Sequence, residues 1–221
     1  MNPANVQLFM RLRNDLDNSA AMCVNVRHSG VDQLAVMAKL LTDHSSDQLI
    51  YSSLAKQVRV SENTVRSWVA TLCSLHCGFL VRPWHRNISR ALRKEPKWFL
   101  RDWSGIADVG KRAETFCACH LLKAVEGWTD LRFGVFELRY IRDTRKREVD
   151  FVVIRDGNPW LLVEAKHGRA GLSPHLAVFQ KQTGAPYAFQ VAMNAAYVDV
   201  DCFSRNTPVV VPARTFFSQL I

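Results

Sequence analysis

Two apolar runs flank the turn-forming cluster Arg155-Asp156-Gly157-Asn158-Pro159, and no other stretch constrains the fold as much. Val149, Phe151, Val152, Val153 and Ile154 lead in, and Trp160, Leu161, Leu162 and Val163 lead out. β-Branched and aromatic residues around Gly, Asn, Asp and Pro predict a β-hairpin. Asp150, Glu164 and Lys166 are set into it, with Glu148 just upstream. Register decides whether they meet. Directly opposite residues share a face, so Asp150 faces Glu164 only if the loop holds an odd number of residues. A two-residue loop at Asp156-Gly157 pairs Asp150 with Val163 and separates the acids. A three-residue loop centred on Gly157 pairs Asp150 with Glu164 and sets Glu148 opposite Lys166. Gly157, or Asn158 beside it, supplies the φ > 0 such a loop needs, and Pro159 is tolerable at a strand start. The three-residue loop is the expected one.

Two carboxylates on adjacent strands suit a hard divalent cation bound through oxygen, Mg²⁺ (or Mn²⁺) where phosphate is also a ligand. Such a cation activates water and neutralises the charge that grows on the leaving oxygen of a phosphodiester. Lys166, two residues past Glu164, points to the same face and can position the water or offset transition-state charge. The alternative is a salt-bridged hairpin in which Lys166 pairs with Glu148 or Glu164. The D-x(13)-E-x-K spacing alone does not choose between them.

The surrounding order adds to this. Ala113, Phe116, Cys117, Leu121, Ala124 and Val125 recur at helical spacing and predict a helix over 111–125, with Glu114 beside its apolar face. A carboxylate there needs a partner. Helix acid, hairpin Asp, then Glu-x-Lys is the order of the PD-(D/E)XK nuclease superfamily. Pro96-Lys97-Trp98-Phe99-Leu100-Arg101-Asp102, Gly110-Lys111-Arg112-Ala113-Glu114-Thr115-Phe116 and Tyr140-Ile141-Arg142-Asp143 precede the hairpin elements in sequence. As an ordered set, from about Val31 to Gly168, they resemble the domain of unknown function that follows the ATPase module in many bacterial and archaeal AAA-type ATP-binding proteins. The resemblance implies a nuclease-type site of Glu114, Asp150, Glu164 and Lys166, with Gln180 on the next helix as an accessory polar residue. Two positions depart from the pattern: Thr115 where Asn often follows the helix acid, and Val149 where the nuclease motif has Pro. Neither removes a metal ligand.

A chain of 221 residues with 48% hydrophobic residues supplies one or two domains with a sizeable core. No apolar run approaches a membrane span and no charged-then-apolar leader opens the chain, so a cytoplasmic protein without a membrane partner is expected. The six cysteines form no C-x-x-C pair, and Cys117-Ala118-Cys119-His120 lacks a second ligand pair downstream. Reduced, buried thiols are expected.

The formal charge of +9 is concentrated. Arg82, Arg86, Arg90, Arg93, Lys94, Lys97 and Arg101 stand against a lone Glu95 between positions 82 and 101, with Trp84, Trp98 and Trp103 in or beside the run. Arg139, Arg142, Arg145, Lys146 and Arg147 form a second group next to the hairpin. Basic groups neutralise phosphates and release counterions, which makes DNA the expected partner; the alternative is a solvated basic face or an acidic protein.

The front half predicts helices over 31–43 and 52–58, a tight turn at Arg59-Val60, and a third helix capped by Ser61 that ends before Gly78. A strand follows from Phe79. This is the pattern of a winged helix-turn-helix, with Asn63, Thr64, Arg66 and Ser67 on the exposed face of the third helix. A helical scaffold against an ATPase or a second subunit is the competing reading. The chain holds no G-x(4)-G-K-[ST] loop, so a stand-alone or truncated C-terminal portion of such an ATPase is expected. The expected class is α/β: an N-terminal helical segment over 1–30, a winged helix-turn-helix over 31–95, and a restriction-endonuclease-like mixed sheet flanked by helices over 96–221. The expected function is metal-dependent hydrolysis of DNA phosphodiester bonds. Asn63, Thr64, Arg66, Ser67, Arg86, Arg90, Lys97 and Arg142 are the candidate DNA contacts. The alternative is a non-catalytic DNA-binding or assembly module on the same fold.

Overall fold

The computed structural model describes residues 30–84, 95–168 and 171–220 as a mixed α/β chain with six helices and seven strands among them. It divides into two compact units, Met1–Leu80 with Lys97–Ile106, and Val81–Pro96 with Ala107–Ile221. The chain passes between the units three times, after Leu80, Pro96 and Ile106. Trp98 and Phe99 return to the first unit because both are almost wholly buried there. The described residues of the segment before β2, Val81–Trp84 and Glu95–Pro96, belong to the second unit, where the Tyr140 hydroxyl donates to the Glu95 carbonyl at 2.7 Å and the Tyr140 carbonyl accepts from Trp84 N at 2.7 Å.

In the first unit, α1 (Gly30–Asp43), α2 (Tyr51–Val58) and α3 (Glu62–Ser74) follow the expected order. Met37, Leu41, Leu54, Val65 and Val69 recur at helical spacing and close a core around Trp98. Helix α2 stops at Arg59, whose left-handed backbone (φ 59°) returns its N–H to Ala55 O. Ser61 then caps α3 by accepting from Thr64 N at 3.1 Å. Strand β1 (Gly78–Pro83) begins here, and β2 (Lys97–Leu100) is its neighbour.

In the second unit the strand order is β1, β3 (Phe136–Arg142), β4 (Glu148–Arg155), β5 (Asn158–Lys166), β6 (Tyr187–Ala192) and β7 (Val209–Pro212). Strands β3, β4 and β5 form an antiparallel meander, while β1–β3, β5–β6 and β6–β7 are parallel. Helix α4 (Val109–Asp130), opened by Asp108 accepting from Lys111 N at 2.8 Å, packs on β3, β4 and β5. Helix α5 (Pro174–Thr183) buries Leu176 and Phe179 against Val152, Ile154, Leu162 and Ala188. The short α6 (Ala213–Phe217) follows β7. Phe151, Val153, Leu161 and Val163 are as fully buried on the alternate face, as a sheet covered on both sides requires.

The hairpin corrects one expectation. Its turn has two residues, Asp156 (φ 49°) and Gly157 (φ 80°), so Arg155 pairs with Asn158 and Ile154 with Pro159. The ladder then shifts: Val153 pairs with Leu161, Val152 with Leu162 and Phe151 with Val163. The extra residue is Trp160, a β-bulge in β5. It restores the register centred on Gly157 for the pairs from Val153–Leu161 to Phe151–Val163, where the ladder ends. For those pairs a two-residue turn plus a bulge gives the register expected from a three-residue loop, and Asp150 meets β5 through its side chain. A second bulge, in β4 at Asp150-Phe151 opposite Tyr140, shifts the ladder to β3.

Gly78 admits no side chain, since a Cβ there would overlap the Trp98 ring and the Phe99 carbonyl. Gly78→Ala is expected to destabilise the first unit by about 1–3 kcal/mol through overpacking. A urea melt monitored by tryptophan fluorescence measures this, and a midpoint equal to wild type would contradict the packing.

Candidate active site

The hairpin positions the acids, and α4 brings a third. Lys166 Nζ lies 2.8 Å from Glu164 Oε1, with the lysine half exposed and the carboxylate buried. The second Glu164 oxygen, Oε2, is buried without a hydrogen-bond partner. Asp150 Oδ2 accepts from Ala165 N at 2.9 Å, so its carboxylate docks on β5 between Glu164 and Lys166. Glu114 lies half buried in the second turn of α4.

Electrostatics tie these groups together. Burial pulls the Lys166 pKa down, but the hydrogen bond and charge of Glu164 and the charges of Asp150 and Glu114 outweigh it and raise the pKa. Cys117, one turn after Glu114, is fully buried; burial first, then the charges of Asp150 and Glu114, push its thiol well up. It stays a neutral thiol. Lys166 therefore senses all three carboxylates. Even so, among the described residues no group of three or more His, Cys, Asp and Glu side chains stands close enough to hold a metal ion. The bulge at Asp150 interrupts strand alternation there, and Asp150 spends one oxygen on a backbone N–H.

The neighbouring groups differ from expectation in part. Glu148 pairs with Arg142 on β3 at 3.5 Å, which leaves Lys166 to Glu164 and ties up Arg142. Gln180 is a structural staple, because its amide donates to Pro186 O at 3.2 Å and Asn206 O at 2.9 Å. The fully buried polar side chain beside the acids is instead Gln190, level with Glu164 in the parallel β5–β6 ladder. It accepts from Ser173 N at 2.7 Å and donates to Gly171 O at 3.1 Å. A glutamine in the apolar run Tyr187–Ala192 was the available signal.

Of the expected DNA contacts, Arg86 and Arg90 lie outside the described residues. Asn63 and Ser67 are exposed on α3, and Thr64 is partly engaged in the Ser61 cap at 2.8 Å. Arg66 is half exposed but bonds Glu62 at 2.6 Å and lies over the Tyr51 ring, 4.0 Å from its centroid. Lys97 is a correction. It is only 5% exposed in β2, where its backbone bridges to Gln48, so its ammonium has no open face for a phosphate. Alternation gave no warning, because all of Lys97, Trp98 and Phe99 are buried.

Residues 109–212 match the family model described as domain of unknown function DUF4143. Glu114, Asp150, Glu164, Lys166 and Gln190 all fall inside that match. DUF4143 is often found C-terminal to AAA ATPase domains. Residues 14–112 match a second domain of unknown function, DUF8612, and the two matches meet in the first turn of α4. No curated protein and no solved structure matches the chain. Among the described residues no helix is long and apolar enough to cross a membrane.

Lys166→Met is expected to destabilise the protein by about 1 kcal/mol at neutral pH, since the pair is half exposed on the lysine side. The raised Lys166 pKa gives the sign. Its contribution is complete below the ordinary lysine value of about 10.4 and is lost as pH rises through the higher folded value. Thermal melts of both proteins should therefore show a gap that holds from neutral pH to about 10 and closes above it. A gap that stays open in alkali would assign the effect to the lysine stem.

Proposed function

We propose that the second unit hydrolyses DNA phosphodiester bonds with a divalent cation, as a nuclease of the PD-(D/E)XK type, and that the first unit is a winged helix-turn-helix that binds DNA. The observation that carries this reading is the buried, unpartnered Oε2 of Glu164, one residue from the Ala165 N–H that Asp150 accepts. A buried carboxylate oxygen without a donor is costly, and a cation satisfies it. Asp150 and Glu164 would hold Mg²⁺ or Mn²⁺, with Glu114 supporting the metal or its water. The cation supplies activation of water and neutralisation of the leaving oxygen. Lys166 stays protonated and acts as a fixed positive charge that orients the attacking water and offsets the charge developing on phosphate. Asp150 also fixes the β5 backbone at Ala165, which sets the spacing of Glu164 and Lys166.

A second reading has its own observation. The 2.8 Å pair of Lys166 with Glu164 already neutralises half of that carboxylate, as a structural ion network would. On this reading the chain is a DNA-binding or assembly module, associated with an AAA-type ATPase in the manner of DUF4143 domains.

Cleavage of single- and double-stranded DNA with Mg²⁺ or Mn²⁺ separates the two. The nuclease reading predicts cleavage by wild type and its loss, by a factor of at least about 100, in Asp150→Asn with DNA affinity retained. Without metal the variant should melt at or slightly above the wild-type temperature, because removing a carboxylate relieves repulsion within the acidic group. Wild type inactive on both substrates with both metals would leave the assembly reading.

A further inference from the structure

An aromatic cavity of about 420 Å³ opens at the turn end of the same hairpin, away from the acids. Trp128 at the end of α4, Phe133, Phe136 in β3, the bulged Trp160 and Phe203 line it, with Arg155 at its edge. Trp128, Phe136, Trp160 and Phe203 form one connected cluster of rings. Trp128 and Phe136 present edges to Trp160 at 5.4 and 5.7 Å between centroids, while Phe203 lies nearly parallel to Trp160, at 11° and 6.1 Å. Trp128 is locked by its indole N–H donating to Leu220 O at 2.7 Å. Leu131, Phe133 and Val135 beside the cavity are 60–66% exposed. Exposed apolar surface of this extent around a preformed cavity marks a binding site.

The charge at the rim selects the occupant. The Arg155 guanidinium lies over the Phe136 ring, 5.6 Å from its centroid, donates to Phe133 O at 3.2 Å and stands 3.8 Å from Asp156 Oδ2. An aliphatic occupant would desolvate this cation and offer it no acceptor. A nucleotide offers a flat π-face to the rings and a phosphate to the guanidinium. The chain carries a net charge of +9, which favours the same ligand.

We infer that this cavity receives an unstacked base of single-stranded DNA. The inference rests on the DNA part of the proposed reading and deepens it by naming the substrate form. It does not require hydrolysis.

The test is equilibrium binding in EDTA of two labelled probes of equal length, oligothymidylate and a fully abasic oligonucleotide. Their phosphates are the same and only one carries bases. Wild type should prefer oligothymidylate by about tenfold, the scale of one stacked base. Phe133→Ala, at an exposed position, should erase most of that preference and leave abasic binding unchanged. Arg155→Gln should weaken both probes. Equal affinity of wild type for the two probes, or a Phe133→Ala variant that keeps the full preference, would overturn the inference. So would a wild type that binds neither probe but self-associates through this face, which would assign the cavity to a protein. Because no metal is present, inactivity in the cleavage assay leaves this result untouched, and a failed preference leaves cleavage untouched.

Discussion

Asp156 and Gly157 both hold positive φ, and the tight turn they form would by itself set Asp150 against Val163. Trp160 reverses that outcome. As one unpaired residue in β5 it advances the ladder by a single position, and every pair from Val153–Leu161 onward obeys the new register. A bulge persists only where its extra side chain has somewhere to go. Trp160 packs against Trp128, Phe136, Tyr187 and Phe203, so the aromatic cluster at the turn end fixes the register of the hairpin. Asp156 secures the turn by accepting from Val135 N at 2.9 Å. The candidate active site and the aromatic cavity thus lie toward opposite ends of one hairpin.

The charges at the acid end are arranged around Lys166. One cation answers three carboxylates, two of them provided by a hairpin whose other residues are buried to a few per cent. Such a group is stable only if positive charge is present, and Lys166 supplies part of it. Cys117 beneath it is neutral, and Gln190 beside it is spent on the loop at 171–173. What remains unsatisfied is Glu164 Oε2. The nuclease and assembly readings differ in whether that oxygen receives a cation from solution or keeps only the lysine as its neighbour.

The sequence exposed what is periodic and local. Helical spacing marked α1, α3 and α4; the small polar Ser61 marked a cap; and Arg59-Val60 marked a turn that the left-handed Arg59 makes. Parity arguments found the register that runs from Val153–Leu161 to Phe151–Val163. They did not find its source, because a bulge is stabilised by residues far away in sequence, here Trp128 and Phe203, which no local pattern couples to Trp160. Lys97 misled for a related reason. Charge runs predict exposure, yet β2 is buried although it is the edge strand, and tertiary burial overrides composition. Gln180 and Gln190 show the same limit from the polar side: each lies in an amphipathic or apolar run, and only the fold shows which carbonyls and amides they meet.

The most direct test is anomalous diffraction from crystals of the intact chain grown or soaked with Mn²⁺. The account predicts a single strong peak bound by Glu164 Oε2 and an Asp150 oxygen, with Lys166 turned from its present contact with Glu164 Oε1 or shared with it. Ordered density for all four side chains, no peak at saturating Mn²⁺, and the Lys166–Glu164 pair unchanged would contradict it.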